Sequence, residues 1–304
     1  MNDSDGARGT LFCHVRRPAL IGSPGGMLMQ LIAWGGDARI EAAVQAARRA
    51  GWDCLHIRKE EDLADLPESA DVVLLPWPKS FLEGKLVALP GDWAAERETV
   101  LKSLPPCRLL LAGREMGECS CAGRLLHPEQ DEAFLTANAE LTAEGALARI
   151  LRHKGRALPG RLVVVTGFGR VGRAMTRRLC AMGAFVAVCA RNEGQMQAAH
   201  DLGAHPVPLA ELGTMAKRAD VVVNTVPARL MGRAMLEQMD RNTLLVELAS
   251  APYGIDLDAA VQLGLDVALE SGLPGRYAPK DAGEALFACV RRALDGEEEE
   301  SGHA

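Results

Sequence analysis

A glycine pattern in the second half of the chain limits the choice of fold more than any other feature. Gly167-Phe168-Gly169-Arg170-Val171-Gly172 follows an apolar run, Leu162–Thr166, and leads into a segment with helical spacing, Val171–Met182. The three glycines allow, in order, a tight turn, a close approach of phosphate to the backbone, and tight packing of helix on strand. Strand, turn and helix in this order predict a Rossmann unit whose loop binds the pyrophosphate of a dinucleotide.

The next predicted strand, Ala184–Ala190, is followed by an arginine instead of an acidic residue. Arg191 lies roughly 20 residues beyond Gly172, where an NAD-binding protein usually carries Asp or Glu for the ribose hydroxyls. A guanidinium there can bind a 2′-phosphate through charge-assisted hydrogen bonds. The sequence therefore predicts NADP(H) over NAD(H), and the alternative is an exposed arginine without a role.

Two later strand ends belong to the same predicted crevice, because ligands bind outside the carboxyl ends of parallel strands. Asn224-Thr225-Val226-Pro227 ends the strand Asp220–Asn224, and we expect it to cover the nicotinamide-side ribose. Ala249-Ser250 ends the strand Leu244–Ala249, and we expect it to face the carboxamide. The predicted cofactor contacts are Gly167, Phe168, Gly169, Arg170, Val171, Gly172, Arg191, Asn224, Thr225, Pro227, Ala249 and Ser250.

Strands and helices alternate over the rest of the chain, which predicts a two-domain α/β protein. Residues 27–130 form an N-terminal, flavodoxin-like parallel domain for the substrate, 131–157 a linker helix, and 158–280 a doubly wound Rossmann domain. Residues 281–295 form a C-terminal helix that packs back on the first domain. We expect a disordered extension over residues 1–26 and an acidic tail over 296–304. The strands expected in the first domain are Leu28–Trp34, Asp53–Ile57, Asp71–Leu75, Leu86–Leu89 and Arg108–Ala112.

Net charge and cysteine content limit which partners and which cellular compartment are expected. The formal net charge of −6 argues against nucleic acid or an anionic membrane as the main partner. Cys180 and Cys189 lie in or beside apolar runs, as buried free thiols do, which favours a reducing, cytoplasmic compartment. Cys119 and Cys121 form a lone C-x-C without a second ligand pair, so we predict a loop and no metal.

Several stretches, taken in order, resemble the A subunit of dipicolinate synthase, a bacterial sporulation enzyme. They are Gly35-Gly36-Asp37-Ala38-Arg39, Asn138-Ala139, Thr142-Ala143-Glu144-Gly145-Ala146, Gly167-Phe168-Gly169-Arg170, Ala190-Arg191, Asn224-Thr225-Val226-Pro227, Glu247-Leu248-Ala249-Ser250 and Gly272 to Gly283. Tyr253 stands where this family has glycine, and Glu270-Ser271 where it has Ala-Pro.

This resemblance implies an NAD(P)-dependent dehydrogenase fold and oxidation of a dihydrodipicolinate-like substrate to pyridine-2,6-dicarboxylate. It also implies a separate, flavoprotein-like B subunit. Dehydrogenases of this architecture often pair through the cofactor domain, so we expect a homo-oligomer.

Aromatising a dihydropyridine requires a hydride acceptor, a base for one ring proton, and cations for two carboxylates. Since Arg and Lys recognise carboxylates, the predicted substrate contacts are Arg39, Arg276 and Lys280. The predicted catalytic residues are Asp37, Glu144 and Lys280, the two carboxylates serving proton transfer. The alternatives are that Asp37 is only the N-cap of the helix that follows it, that Glu144 is a helix-face residue, and that Lys280 is a solvated charge.

Three functions remain open at this point. No histidine lies between Pro206 and Gly302, which argues against a 2-hydroxyacid dehydrogenase, because those enzymes use a histidine in this half as acid/base. The first function is an NADP-dependent oxidoreductase of the dipicolinate synthase A type. The second is a non-catalytic NADP(H)-binding subunit that is a scaffold for a B partner. The third is an NADP-dependent dehydrogenase acting on another cyclic or keto acid.

Overall fold

The computed structural model describes residues 28–87, 93–153 and 157–301, the last five of these by their backbone alone. The predicted disordered extension and residues 302–304 of the acidic tail lie outside the described residues. Two parallel β-sheets organise the described chain, and each has apolar clusters on both of its faces. This arrangement confirms the predicted two-domain α/β fold.

The first sheet has the strand order of a flavodoxin-like domain, β2-β1-β3-β6-β7, with all neighbours parallel. A small antiparallel hairpin, β4–β5, with two residues in each strand, follows β3. The elements are β1 (Gln30–Trp34), α1 (Ala38–Arg49), β2 (Asp53–Ile57), β3 (Ala70–Leu74), β4 (Phe81–Leu82), β5 (Lys85–Leu86), α2 (Arg97–Ser103), β6 (Cys107–Leu111) and β7 (Ala122–Leu126). Short 3₁₀ turns cover Glu60–Asp65 and Pro128–Gln130.

The second sheet has the order of a dinucleotide-binding Rossmann domain, β10-β9-β8-β11-β12-β13, again all parallel. A long helix, α3 (Glu132–Leu151), connects the two sheets. The later elements are β8 (Leu162–Thr166), α4 (Arg170–Ala181), β9 (Phe185–Ala190), α5 (Glu193–Asp201), β10 (His205–Pro208), α6 (Leu212–Ala216), β11 (Val221–Asn224), α7 (Arg233–Leu236), β12 (Leu244–Glu247), α8 (Leu257–Gln262), β13 (Asp266–Leu269), α9 (Leu273–Tyr277) and α10 (Pro279–Ser301). A 3₁₀ turn covers Leu209–Glu211.

The C-terminal helix packs back on the first domain, as predicted. Leu286, Val290 and Leu294 of α10 are buried in the same cluster as Leu31 and Ile40. The helix begins at Pro279 and continues through Ser301, so its last turns extend into the stretch that we predicted as tail. Since helix α3 buries Ala143 and Ile150 in the Rossmann core, it belongs to that domain by packing as well as linking the two.

The structure differs from the prediction mainly at the edges of the sheets. We predicted a strand of the first sheet over Leu86–Leu89, and for the residues that the structure describes this prediction is wrong. Leu86 pairs with Phe81 in the small hairpin and not with the first sheet. Two edge strands, β7 and β10, were not predicted. They contain glycine or proline in place of a continuous apolar run, as edge strands often do. No helix of the described chain has the length and apolar character to span a membrane.

Candidate functional site

The glycine loop has the geometry of a phosphate-binding turn. Gly167 adopts a φ of +81°, a conformation that residues with a side chain rarely adopt. Its N–H donates to the Cys189 carbonyl at 2.8 Å. A Cβ on Gly172 would lie 2.3 Å from the Gly167 carbonyl oxygen, so only glycine fits there. A Cβ on Gly169 would meet no atom within 4 Å, because this side of the loop is open. The loop therefore fits the pyrophosphate of a dinucleotide, with the N–H groups at the start of α4 facing it.

The remaining members of the motif help to hold this turn. Phe168 is buried in the Rossmann core, and the Arg173 guanidinium lies 5.4 Å from its ring centre. Arg170 binds Glu132 of α3, and this hydrogen bond lowers the pKa of the Glu132 carboxyl. Since the Arg170 charge is paired within the protein, it ties helix α4 to the linker helix. Val171 is half-buried against the same core.

Arg191 stands beside the glycine loop, at the carboxyl end of β9. Strand β9 pairs with β8 so that Thr166 is opposite Cys189, two residues before Arg191. The arginine is exposed, and it makes no hydrogen bond or ion pair with another residue of the described chain. Asn192 begins helix α5 by accepting the Gln195 N–H at 2.8 Å. The guanidinium is thus available to a ligand at the position where the adenosine ribose lies in this fold.

The ends of β11 and β12 are joined by a buried polar network that the sequence did not predict. Glu247 is fully buried, and its carboxylate accepts the Asn224 amide at 2.6 Å and the backbone N–H groups of Ala249, Gly254 and Ile255 at 2.9 Å. The Asn224 side chain is therefore engaged within the protein. Thr225 donates to the Thr166 carbonyl at 2.7 Å. These bonds fix both strand-end loops against the glycine loop.

The predicted cofactor contacts beyond these strand ends lie at the surface. Pro227 and Ser250 are exposed, and Ala249 is half-buried. Tyr253, three residues after Ser250, has a φ of +55°, the left-handed conformation that favours glycine. The family resemblance expects glycine at this position, and the φ of Tyr253 is one that glycine adopts without strain.

In the first domain, Asp37 and Arg39 form a closely bonded pair at the start of α1. Asp37 caps the helix by accepting the Arg39 N–H at 2.9 Å, and its carboxylate also accepts from the Arg39 guanidinium, with 2.7 Å between Nη2 and Oδ2. Arg39 donates further to the Trp77 carbonyl at 2.9 Å and lies 5.6 Å from the Trp77 ring centre. Asp37 is therefore an N-cap, and its carboxylate is at the same time the counter-ion of Arg39.

Three of the stretches that carried the family resemblance come together at this pair. A Cβ on Gly275, in α9, would lie 2.9 Å from the Arg39 Nε and 3.1 Å from the Asp37 Oδ2. Asn138 of α3 and Arg39 line one small cavity. Residues from the beginning, middle and end of the chain thus meet around Asp37 and Arg39.

Of the other predicted substrate and catalytic residues, two are paired within the protein and one is exposed. Glu144 is paired with Arg178 of α4 at 2.9 Å, two turns along that helix from the glycine loop. Arg276 is paired with Glu270. Lys280, in the first turn of α10, is exposed and makes no hydrogen bond or ion pair with another described residue.

Comparisons with known proteins agree with this geometry. Residues 134–261 match the family model for the NAD binding domain of D-isomer specific 2-hydroxyacid dehydrogenases. A stretch of 157 residues is 34% identical to the A subunit of dipicolinate synthase from Bacillus subtilis (strain 168); it covers 52% of this chain and 53% of that protein. The match thus spans about half the length of this curated relative.

Solved structures extend the likeness over both domains. The crystal structure of the dipicolinate synthase A subunit from Bacillus halodurans superimposes with a TM-score of 0.78 and 26% identity, covering 88% of this chain and 99% of that one. A transhydrogenase from Sinorhizobium meliloti shares the fold, with a TM-score of 0.65 and 16% identity over 88% and 94% of the two chains. These comparisons confirm the resemblance to the A subunit of dipicolinate synthase, and they support a nicotinamide cofactor and an oxidoreductase role.

Proposed function

We propose that this chain is an NADP-dependent oxidoreductase of the dipicolinate synthase A type, which oxidises a dihydrodipicolinate-like dicarboxylate to pyridine-2,6-dicarboxylate. The observation that carries the cofactor choice is Arg191, an exposed cation beside an open glycine loop and without a partner among the described residues. The confirmed resemblance supports the substrate class. It also supports a place in sporulation chemistry in the cytoplasm and a B-type partner subunit.

In this proposal the Rossmann domain holds the dinucleotide. The N–H groups at the start of α4 bind the pyrophosphate, Arg191 binds the 2′-phosphate, and the loops after β11 and β12 cover the nicotinamide end. NADP⁺ supplies the hydride acceptor when bound. Thr225, Pro227, Ala249 and Ser250 line the crevice, while Asn224 keeps its loop in place through Glu247.

The first domain presents the substrate to that crevice. Oxidation of the dihydropyridine removes one hydride and one proton, and the aromatic ring and one reduced nicotinamide are the products. Asp37 is the proposed proton acceptor, and Arg39 orients its carboxylate through bonds of 2.7–3.1 Å. Lys280 is the proposed contact for one substrate carboxylate, and Arg276 becomes available as a second only if Glu270 releases it.

The cofactor assignment is tested by titrating the purified chain with NADPH and NADH and following nucleotide fluorescence. For Arg191→Ala we expect a loss of NADPH affinity of about 10- to 100-fold, as for removal of a charge-assisted contact, with little change for NADH. Arg218→Ala is the matched control, because Arg218 is also exposed but precedes β11, at the opposite end of the sheet. Equal affinities of wild type and Arg191→Ala for NADPH would refute the assignment.

One observation favours a second function, that of a cofactor-binding subunit without activity of its own. Both predicted carboxylates are engaged in ion pairs, Asp37 with Arg39 and Glu144 with Arg178. A chain that binds NADPH but needs a partner subunit to supply or release its base fits this pairing. Turnover by the isolated chain would exclude this second function.

A further inference from the structure

A cleft of about 250 Å³ opens at the carboxyl edge of the first sheet. One wall comes from the turn and helix after β1, through Asp37, Arg39 and Ile40, and the other from the segment after β3, through Trp77, Lys79 and Leu82. Strands β1 and β3 are neighbours whose onward connections leave in opposite directions along the sheet. Such a switch point is where open parallel sheets bind their ligands.

The segment after β3 is fixed by Ser80, Gly113 and Glu115, none of which lines the cleft. The buried Ser80 hydroxyl donates to the Pro76 carbonyl and accepts the Gly113 N–H, both at 2.9 Å. The Glu115 carboxylate accepts the N–H groups of Ser80 and Phe81. Because these contacts hold the backbone on both sides of Lys79, a ligand that binds this residue would have little backbone to order.

The cations of the cleft differ in availability. Arg39 is 13% exposed in its side chain, neutralised by Asp37 and bonded to the Trp77 carbonyl. Lys79 is exposed and has no hydrogen bond or ion pair to any residue in the described part of the chain. The open charge of the cleft is therefore that of the Lys79 ammonium.

The remaining surface of the cleft suits a flat ring. Trp77, Ile40 and Leu82 contribute apolar walls, and Leu82 is 56% exposed although it is a large aliphatic side chain. The exposed Lys79 ammonium adds a hydrogen-bond donor to these apolar walls. An aromatic or cyclic carboxylate offers both an apolar face and an oxygen acceptor.

Resting on the proposed function, we infer that this cleft binds the ring of a planar cyclic carboxylate, and that Lys79 holds one of its carboxylates. In this inference Arg39 orients the Asp37 carboxylate. It does not bind the substrate anion, which is the contact that the sequence predicted for it. Lys79 thus becomes a determinant of substrate affinity. Neither the motifs nor the family resemblance singled it out.

The test is calorimetric titration of the full chain, with NADP⁺ present, using pyridine-2,6-dicarboxylate and uncharged pyridine as probes. We expect Lys79→Ala to weaken the dicarboxylate about 10-fold or more and Lys79→Arg to restore most of the loss, since a charged contact is removed and then replaced. Pyridine binding should not respond to either change. Lys85→Ala is the control, because Lys85 is an exposed lysine of the adjacent hairpin that does not line the cleft.

The outcomes separate this inference from the proposed function. If Lys79→Ala binds the dicarboxylate as wild type does, or if it turns over the dihydro substrate with unchanged KM, the inference is overturned and the proposed function stands. If dicarboxylate binding depends on Lys79 but no oxidation of the dihydro compound is found, the cleft assignment stands and the proposed function fails.

Discussion

At the scale of single residues, Glu247 decides the shape of the cofactor crevice. Its fully buried carboxylate accepts three backbone N–H groups and the Asn224 amide, so it joins the loop after β12 to the end of β11. A buried carboxylate is stable only when its oxygens are fully bonded, and here four donors serve them. The residue acts on the site through the loops that it positions.

Glu247→Gln should therefore destabilise the protein although the two side chains have the same shape. The substitution replaces one acceptor oxygen with a donor that faces other donors, and buried groups without partners cost about 1–3 kcal/mol each. We expect the free energy of unfolding in urea to fall by about 3 kcal/mol. Glu237→Gln is the control, because Glu237 is an exposed member of an i,i+4 pair with Arg233, and it should change stability by less than about 0.5 kcal/mol. Equal effects of the two substitutions would refute this account of Glu247.

At the scale of elements, the contact between α1 and α10 holds the C-terminal helix on the first domain. Gly283 lies where the two helices are closest. A Cβ at this position would lie 2.5 Å from the Ala42 Cβ and 2.6 Å from the Ala43 nitrogen and the Arg39 carbonyl oxygen. Because two of these are backbone atoms, the helices would have to separate to make room, beside the Asp37–Arg39 pair.

For Gly283→Ala we expect a loss of stability of about 2 kcal/mol or more, from overpacking, together with weaker binding of pyridine-2,6-dicarboxylate. Gly296→Ala is the matched control on the same helix, since its Cβ would meet no atom within 4 Å. That change should leave stability equal or raise it by up to about 1 kcal/mol, because alanine favours the helix. Urea unfolding of both variants measures the difference, and a Gly283→Ala protein as stable as wild type would contradict the close packing.

The elements that could be predicted from sequence are those whose signal is local. The glycine loop and Arg191 lie within one strand–helix–strand unit, and the strand predicted over Leu162–Thr166 has the observed bounds. Uninterrupted apolar runs predict the central strands because both faces are covered. The edge strands β7 and β10 lack such runs, so no periodicity marked them.

The sequence could not predict the roles of residues whose contacts lie far away along the chain. Glu247 lies inside the predicted strand Leu244–Ala249, and its buried network involves loops before and after it. No sequence motif marks Lys79, and only the fold places it in the same cleft as Arg39. The pairing of Glu144 with Arg178 likewise depends on the packing of α3 on α4, which spacing along the chain does not specify.

At the scale of the whole molecule, helices α9 and α10 pack against the turn and helix that follow the first strand, where Asp37 and Arg39 lie. Helix α9 follows the last strand of the Rossmann sheet and places Gly275 against Asp37 and Arg39, and α10 then covers α1. The carboxyl edge of each sheet carries one half of the proposed chemistry: a dinucleotide loop on one and a carboxylate cleft on the other. This division underlies the central claim that the chain passes hydride from a cyclic dicarboxylate to NADP⁺.

The most direct measurement of that claim is turnover by the purified full chain. Dihydropyridine-2,6-dicarboxylate is incubated with NADP⁺, while reduced nicotinamide and pyridine-2,6-dicarboxylate are followed separately by absorbance and chromatography. We predict that one NADPH forms for each pyridine ring, and that Asp37→Asn, which keeps the helix cap but loses the base, lowers kcat at least about 100-fold. Tight NADPH binding without formation of either product by the isolated chain would contradict the claim and favour the non-catalytic function.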